Sequence, residues 1–413
     1  MRRRSTVAAI DVGSTKVAVI VGDIGDQGET RILGVGVTPA AGLSRGVIDN
    51  IQSAREAIRV AVEKAEQACG MRILSAVVGI SGGHITSQNN RGIIAIPDRS
   101  RANYGRRPSR VLDSAGQVAI PTNLQVIHVV PRGYWIEGTE PVSDPVGMWG
   151  GRLDCEVHIV SGAVSAIQNL TKCVEGAGVR WMTSSSSASP GRPACCRTRS
   201  ASRGRPRRYR RSTTSVAVYD EGSIAHTACL PIAGSQLTND LARVLRCPWE
   251  AAEHLKCTVG AAYADSSMHE TVEIQAFGTQ AKKSVDVRHV CEILQARSEE
   301  ILEMVAVELK RVGYYDRLAA GLVLTGGTSQ LRGLPDMAEA RLGIPARLGQ
   351  PARYSGLSDL IGTPAFSTSI GLVEYALSGR ERVLESAGGA SFEVPVGGLF
   401  RRLASFGRAL MPQ

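Results

Sequence analysis

The sequence predicts an α/β protein with more than one domain. Short β-rich runs alternate with stretches of helical apolar spacing along most of the chain. Glycine turns end several of those runs, at Gly13, Gly82-Gly83 and Gly326-Gly327. A length of 413 residues at 43% hydrophobic content suffices for two or more cores.

The first element sets the pattern. Val7–Ile10 and Val17–Val21 are apolar, β-branched runs around Asp11-Val12-Gly13-Ser14-Thr15-Lys16, which reads as strand, tight turn, strand. Gly13 lets backbone N–H groups approach a phosphate closely, and the Ser14 and Thr15 hydroxyls add donors. Lys16 brings positive charge, and Asp11 is placed to hold a metal-bound water. The GxxxxGK[ST] spacing of a P-loop is absent, and a strand follows instead of a helix. By itself the stretch is equally compatible with an ordinary hairpin carrying a polar turn.

Arg31–Val37 reads as a further strand, and Asp49-Asn50 leads into a helix over Ile51–Cys69 with Ala54, Ile58, Val62 and Ala65 on one face. Ile73–Ile80 reads as a buried strand ending at Ser81-Gly82-Gly83-His84, where His84 has no His or Cys at ligand spacing. Strands at Ile85–Ile96, Leu124–Pro131 and Cys155–Ser161, with a helix near Arg110–Ala119, make 84–160 a small α+β unit inserted into the first lobe. A helix follows over Ser165–Gly176. Further on, Ser215–Tyr219 pairs with Ile224–Pro231, and helices cover Gly234–Leu245, Trp249–Cys257 and Val287–Arg311. Glu253 and Lys256, three apart, share a helix face and read by themselves as a surface ion pair. Leu322–Thr325 runs into Gly326-Gly327-Thr328, whose open backbone can admit a nucleobase or phosphate.

Composition narrows the function classes. Aromatics are only 4%, so no platform for stacking nucleobases is evident. No apolar run reaches the ~20 residues of a membrane-spanning helix. The basic start Met1-Arg2-Arg3-Arg4 lacks an apolar segment behind it, which reads as cytosolic. Nine cysteines without CxxC pairs read as reduced thiols. Residues 181–212 hold nine arginines and no acid, so the formal net charge of +10 falls to +1 outside them. That excludes a generally basic, nucleic-acid-binding surface.

Taken together, the motifs resemble the FtsA family of bacterial cell-division proteins, in the actin-like ATPase superfamily. The resemblance rests on IDVGSTKVAVIVG, GVGVTPAAGLSRGVIDNI, GISGGHITSQN, VIHVVPRGYWIEG, DPVGMWGGRLDCEVHIVSG, VAVYDEGSIAHTACLPIAGSQLTNDLA, AAEHLK, LAAGLVLTGGTSQLRGL, TPAFSTSIGLVEYAL and GLFRRLASF. It implies an actin-like (ribonuclease H-like) two-lobed α/β fold with the inserted α+β subdomain at 84–160. The first lobe would take 1–83 with parts of 161–180 and 365–380, and the second 213–364, including a smaller subdomain near 232–300. ATP with Mg2+ would lie in the cleft. Asp11, Gly13, Ser14, Thr15 and Lys16 match the first phosphate hairpin, with Asp11 toward the metal. Gly326, Gly327 and Thr328 match the adenosine motif, and Glu253 and Lys256 the ribose or base contacts. FtsZ, other division proteins, filament neighbours and anionic membrane lipid would be the partners, at the cytoplasmic face of the membrane at the division site. No specific nucleic acid is expected. The alternative within the superfamily is a small-molecule kinase, whose first-lobe catalytic Asp has no motif here.

One stretch departs from the family pattern. A second phosphate hairpin, approximately VDIGGGTT, belongs just before Ser215, yet the chain reads Arg207-Arg208-Tyr209-Arg210-Arg211-Ser212 before Thr213 and Thr214. Codons CGT CGA TAT CGG CGG encode those first five residues. Without the first base they read GTC GAT ATC GGC GG, or Val-Asp-Ile-Gly-Gly. Trp181-Met182-Thr183 likewise yields Asp-Asp in a neighbouring frame. The expectation is compensating frameshifts spanning 181–212, with at most weak ATPase activity and impaired nucleotide binding. Thr213 and Thr214 remain as the end of the second hairpin. The DNA across codons 175–220 decides it.

Residues 381–396 read as a linker and 397–413 as an amphipathic helix. At ~100° per residue, Leu399, Leu403, Phe406 and Leu410 share a face with Phe400 at its edge, while Arg401 lies opposite and Arg402 flanks. An apolar face beside arginines suits an anionic bilayer surface.

Overall fold

The computed structural model describes residues 6–387, except 26–27, 45, 97–106, 139, 143, 183–195, 199–212, 221, 266, 268, 276–281, 319, 352–353 and 358–360. The predicted membrane helix, with Leu399, Phe400, Arg401, Arg402, Leu403, Phe406 and Leu410, lies outside the described residues. So does most of 181–212.

The chain begins with β1 (Val7–Val12), β2 (Lys16–Ile24) and β3 (Thr30–Pro39), then the short β4 (Leu43–Ser44) and β5 (Val47–Ile48), and α1 (Ile51–Cys69). The α1 bounds follow from its caps. The Asn50 side chain accepts from the Ser53 amide at 3.0 Å, and Gly70 closes the far end at φ 67°. β6 (Ser75–Gly79) completes the first βαβ crossover. The inserted unit follows as β7 (Ile85–Ala95), α2 (Arg107–Gly116), β8 (Leu124–Ile136) and β9 (Arg152–Ala163), and α3 (Val164–Gly176) and β10 (Arg180–Trp181) return to the first lobe. Then come β11 (Cys196–Thr198), β12 (Thr214–Asp220), β13 (Ser223–Leu230), α4 (Gly234–Val244), α5 (Trp249–Thr258), β14 (Thr271–Gln275), β15 (Lys282–Asp286) and α6 (Val287–Arg311). The described chain ends with β16 (Leu322–Thr325), α7 (Leu334–Leu342), β17 (Ala346–Leu348), β18 (Tyr354–Gly356) and α8 (Ser367–Ala387). α8 extends into the stretch read as linker, because Glu381 to Ala387 are mostly good helix formers and Gly388-Gly389 comes only afterwards.

Two sheets repeat one scheme. The first runs β10-β6-β1-β2-β3-β18 and the second β13-β12-β11-β16-β17. In both, three consecutive strands pair antiparallel and a further pair adds in parallel. β11 therefore holds in the second sheet the position that β1 holds in the first. In the first sheet β1 splits its side chains by period two. Ala8, Ile10 and Val12 join α1 and α3 in one core, while Val7 and Ala9 join Ile370, Val373 and Leu377 of α8 in another. The second-lobe core gathers Val216, Val218, Leu237, Leu255, Leu294, Leu302 and Leu324. The insert is a three-stranded sheet, β7-β9-β8, with Val111 and Ala115 of α2 packed on Leu153, Val157 and Ile159.

The insert docks on the second lobe through a polar clasp. Ser87 Oγ donates to the Thr227 carbonyl at 2.7 Å, and Asn89 Nδ2 to the Ala225 carbonyl at 3.0 Å. His158 lies between them, fully buried, with Nδ1 2.6 Å from Asn89 Oδ1 and Nε2 3.0 Å from Thr227 Oγ1. Because Asn89 Oδ1 can only accept, Nδ1 carries the proton and Nε2 accepts from Thr227. Beyond the clasp, His226 pairs with Glu308 at 2.7 Å and Arg132 with Glu156. Burial, then the nearby His226 and Arg132 charges, pushes the His158 pKa down to about 4. The unfolded chain takes up that proton near pH 6.5, so this part of the stability is full above 6.5 and is lost as pH falls toward 4. Denaturant melts at pH 7 and pH 4.5 will show a loss of roughly 2–3 kcal/mol that His158→Gln largely removes. An equal loss in the variant counts against the clasp.

Candidate functional site: two glycine turns and the strap that joins them

The β1–β2 turn is three residues long. The Gly13 amide donates to the Lys16 carbonyl at 3.0 Å, and β1 pairs β2 from Val7↔Gly22 to Val12↔Val17. Ser14 is buried, and the buried Thr15 hydroxyl has no hydrogen-bond partner. Asp11 is buried and its Oδ2 accepts from Ser369 Oγ at 3.0 Å. The Lys16 ammonium lies 3.0 Å from the Phe366 ring centroid.

Both contacts lead to one segment, Pro364–Ser369, a 3-10 turn running into α8. The same segment reaches the second turn. The Gly326 amide donates to the Pro364 carbonyl at 3.0 Å, and Thr325 Oγ1 lies 2.8 Å from Ser367 Oγ. Residues 364–369 thus strap Asp11 and Lys16 of the first lobe to Thr325 and Gly326 of the second. Gly326 sits at φ 95°, a conformation that favours glycine. Gly327 begins a 3-10 turn, and the buried Thr328 hydroxyl, like that of Thr15, lacks a partner.

Lys256 and Glu253 depart from the surface pair that the sequence suggests. Lys256 is 6% exposed, and its ammonium meets Glu253 Oε2 at 2.6 Å, Thr238 Oγ1 at 2.8 Å and the Gly234 carbonyl at 3.4 Å. All three ammonium donors are used, which is what a buried lysine requires. Thr214 and Thr328 line one cavity of about 20 Å³ with Leu237 and Ser298, room for one or two waters. The Thr214 hydroxyl donates to the Ile232 carbonyl at 2.6 Å, and Thr213 is buried beside it. Consecutive residues of α4, Leu237 and Thr238, therefore connect the Thr328 cavity to the Lys256 cluster.

The residues that sequence reasoning missed are Pro364, Phe366, Ser367, Ser369, Gly234 and Thr238. The signals were present as the small, polar run Thr363-Pro364-Ala365-Phe366-Ser367-Thr368-Ser369 and as Gly-Ser ahead of an apolar helix. The described residues suit a nucleotide on one side. Unspent hydroxyls at Thr15 and Thr328 and the Lys16 charge are donors for phosphate and sugar oxygens, and the missing Cβ atoms at Gly13, Gly326 and Gly327 let such oxygens come close. Among the described residues no cluster of three His, Cys, Asp or Glu could cage a metal. A lone Asp11 fits a magnesium ion that keeps its waters and takes phosphate oxygens. In strand order the β11–β12 connection is the counterpart of the β1–β2 turn. It spans 199–213, against three residues in the first lobe, and 199–212 lie outside the described residues.

Comparisons agree with this architecture. A family model described as cell division protein FtsA matches residues 211–371, and one described as the SHS2 domain inserted in FtsA matches 82–161. The chain is 37% identical over 385 residues to the cell division protein FtsA of Pseudomonas aeruginosa, covering 90% of this chain and 89% of that protein. It is 33% identical over 395 residues to that of Neisseria meningitidis, covering 95% of each. Among solved structures, the PilM-PilN type IV pilus biogenesis complex superposes with TM-score 0.60 at 13% identity, covering 90% of this chain and 98% of that one. MreB5 of Spiroplasma citri bound to ADP gives 0.50 at 10%, covering 94% and 99%. At such identities the likeness speaks to the fold alone, which is actin-like.

Proposed function

This chain belongs to the FtsA family of cell division proteins, and from that premise we propose that it ties the FtsZ ring to the cytoplasmic face of the membrane. The supporting observation is the strap at 364–369, which ties Asp11 and Lys16 beside one glycine turn to Thr325 and Gly326 at the other. ATP with Mg2+ between Lys16, Thr15 and Gly326–Thr328 would bias the lobes toward one closure. Self-association would then present many copies of the C-terminal helix at once. One amphipathic helix binds a bilayer weakly, and multivalency makes the attachment stable. FtsZ and other division proteins are the partners of this reading.

The membrane arm has a direct test. Full-length protein will co-sediment with phosphatidylglycerol vesicles, and Phe406→Glu will lower the bound fraction about 10-fold or more, since it removes an apolar anchor and adds repulsion. FtsZ polymers will come down with the vesicles only when this protein is present. Unchanged sedimentation of Phe406→Glu would rule the anchor out.

A further inference from the structure

The second-lobe core holds two hydroxyls that packing alone does not explain. Ser298 is 1% exposed and Thr328 5% exposed, and among the described residues neither hydroxyl has a hydrogen-bond partner. Ser298 stands in the buried stripe of α6, with Leu294, Ile301, Leu302 and Val305 beside it at helical spacing. A helical serine commonly returns its proton to the carbonyl four residues earlier, and this one does not. Alanine would suit the position better on helix propensity and would leave nothing unpaired.

Both residues line the cavity of about 20 Å³ that Thr214 also borders. A space of that size holds one water, and a buried water makes about three hydrogen bonds. The rest of the wall is aliphatic, so those three hydroxyls are the side-chain partners on offer. Their roles are constrained. Thr214 has committed its proton to the Ile232 carbonyl at 2.6 Å, so its oxygen can only accept. Ser298 and Thr328 have committed neither proton nor lone pair to the protein.

We infer that one water sits in this cavity, accepts the Ser298 proton and donates to the Thr214 and Thr328 oxygens, which makes Ser298 a positioning residue for the glycine turn at 326–328. The count closes, because both water protons and all three hydroxyls are then used. Accepting from the water leaves the Thr328 proton for a sugar oxygen. The function assigned to Ser298 rests on the reading of this turn as a nucleotide contact. α6 is a firm mount for it: Arg297 pairs with Asp240 of α4, and Glu299 with Arg341 of α7. The water carries that support to the start of β12 at Thr214 and to the turn after β16 at Thr328.

The first test uses the chain as written. Water-to-methyl NMR cross-peaks are expected at Thr328 and Leu302 in selectively labelled protein, as a long-lived buried water gives. Ser298→Ala, Thr328→Val and the pair are then compared in urea melts. Each single variant will raise the unfolding constant about 5-fold or more, and the pair will fall short of the product of the two by a similar factor, since both lose the same water. Ser298→Ala will also speed exchange at the Ser329 and Leu331 amides, which bond the Gly326 and Thr328 carbonyls, by about 5-fold or more relative to the amides of α1. Missing cross-peaks would overturn the inference. So would a Ser298→Ala chain as stable as the chain as written, because a dry cavity gains by losing an orphaned hydroxyl, and so would additive losses in the pair. None of these measurements involves nucleotide. Failure of the nucleotide reading would show separately, as a turn that keeps its water but binds no Mg-ATP.

Discussion

Restoring the glycines of the second hairpin will tighten Mg-ATP binding by roughly 100-fold or more, the equivalent of two charge-assisted hydrogen bonds at ~1.5–3 kcal/mol each. The variant is Arg207→Val, Arg208→Asp, Tyr209→Ile, Arg210→Gly and Arg211→Gly, read by isothermal titration. The topology gives the reason. β11 and β12 repeat in the second sheet the pairing of β1 and β2 in the first, and the restored residues lie in the segment that joins them. In the first lobe that turn is three residues built on Gly13, whose amide donates a 3.0 Å hydrogen bond to the Lys16 carbonyl. Arginine side chains attract phosphate, but they cannot let the main chain approach it, and a phosphate clamp works through oriented N–H groups. Lys16→Ala in the repaired chain should reverse most of the gain, since the first hairpin then loses its charge. Micromolar, magnesium-dependent binding by the chain as written would show the opposite: that the arginine-rich connection already serves.

Gly36→Val will prevent folding or cost more than about 3 kcal/mol, at the upper end of overpacking penalties. A Cβ at Gly36 would lie 1.9 Å from the Ala61 carbonyl oxygen and 2.7 Å from the Ala65 amide nitrogen. Both are backbone atoms of α1, so no rotamer change relieves the clash. The helix would have to rise off β3, breaking the 2.8 Å bond from Thr38 Oγ1 to the Ala57 carbonyl and opening the core of Ile58, Ala61 and Val62 against Val19 and Val21. Gly371 is the contrast. It lies in α8 with open space where a Cβ would go, so Gly371→Ala should stabilise by about 0.5–1 kcal/mol through helix propensity. Urea melts of the two variants should move in opposite directions. A small effect at Gly36 would mean that α1 does not pack as closely as described.

Much of the local architecture is legible in the residues. Ile51–Cys69 is a helix with those bounds in both sequence and structure, because Asn50, Gly70 and an alanine-rich apolar stripe specify start, stop and buried face. Val287–Arg311 follows from the same periodicity, with Asp286 accepting from the Arg288 amide as its cap. The first hairpin and the order of strands in the insert are legible too, although α2 runs Arg107–Gly116 rather than near Arg110–Ala119 and the last two strands are longer than expected. The β14–β15 hairpin and α7 are not legible, since Lys282-Lys283-Ser284 and the short Leu334–Leu342 segment carry little apolar alternation.

What the sequence determined by itself is which elements form and which face of each is apolar, because propensity, capping and periodicity act within one or two turns of the chain. The partners of its polar groups were decided only by the tertiary structure. Nothing near Lys256 in sequence announces that its ammonium is sealed against Thr238 and Gly234, or that His158 locks an insert of one lobe to a strand of the other. Nor does it announce that Phe366 and Ser369 clasp a hairpin 350 or more residues earlier. A buried polar group must find a partner, but the need is local and the partner is not, so the choice emerges only when distant segments are brought together.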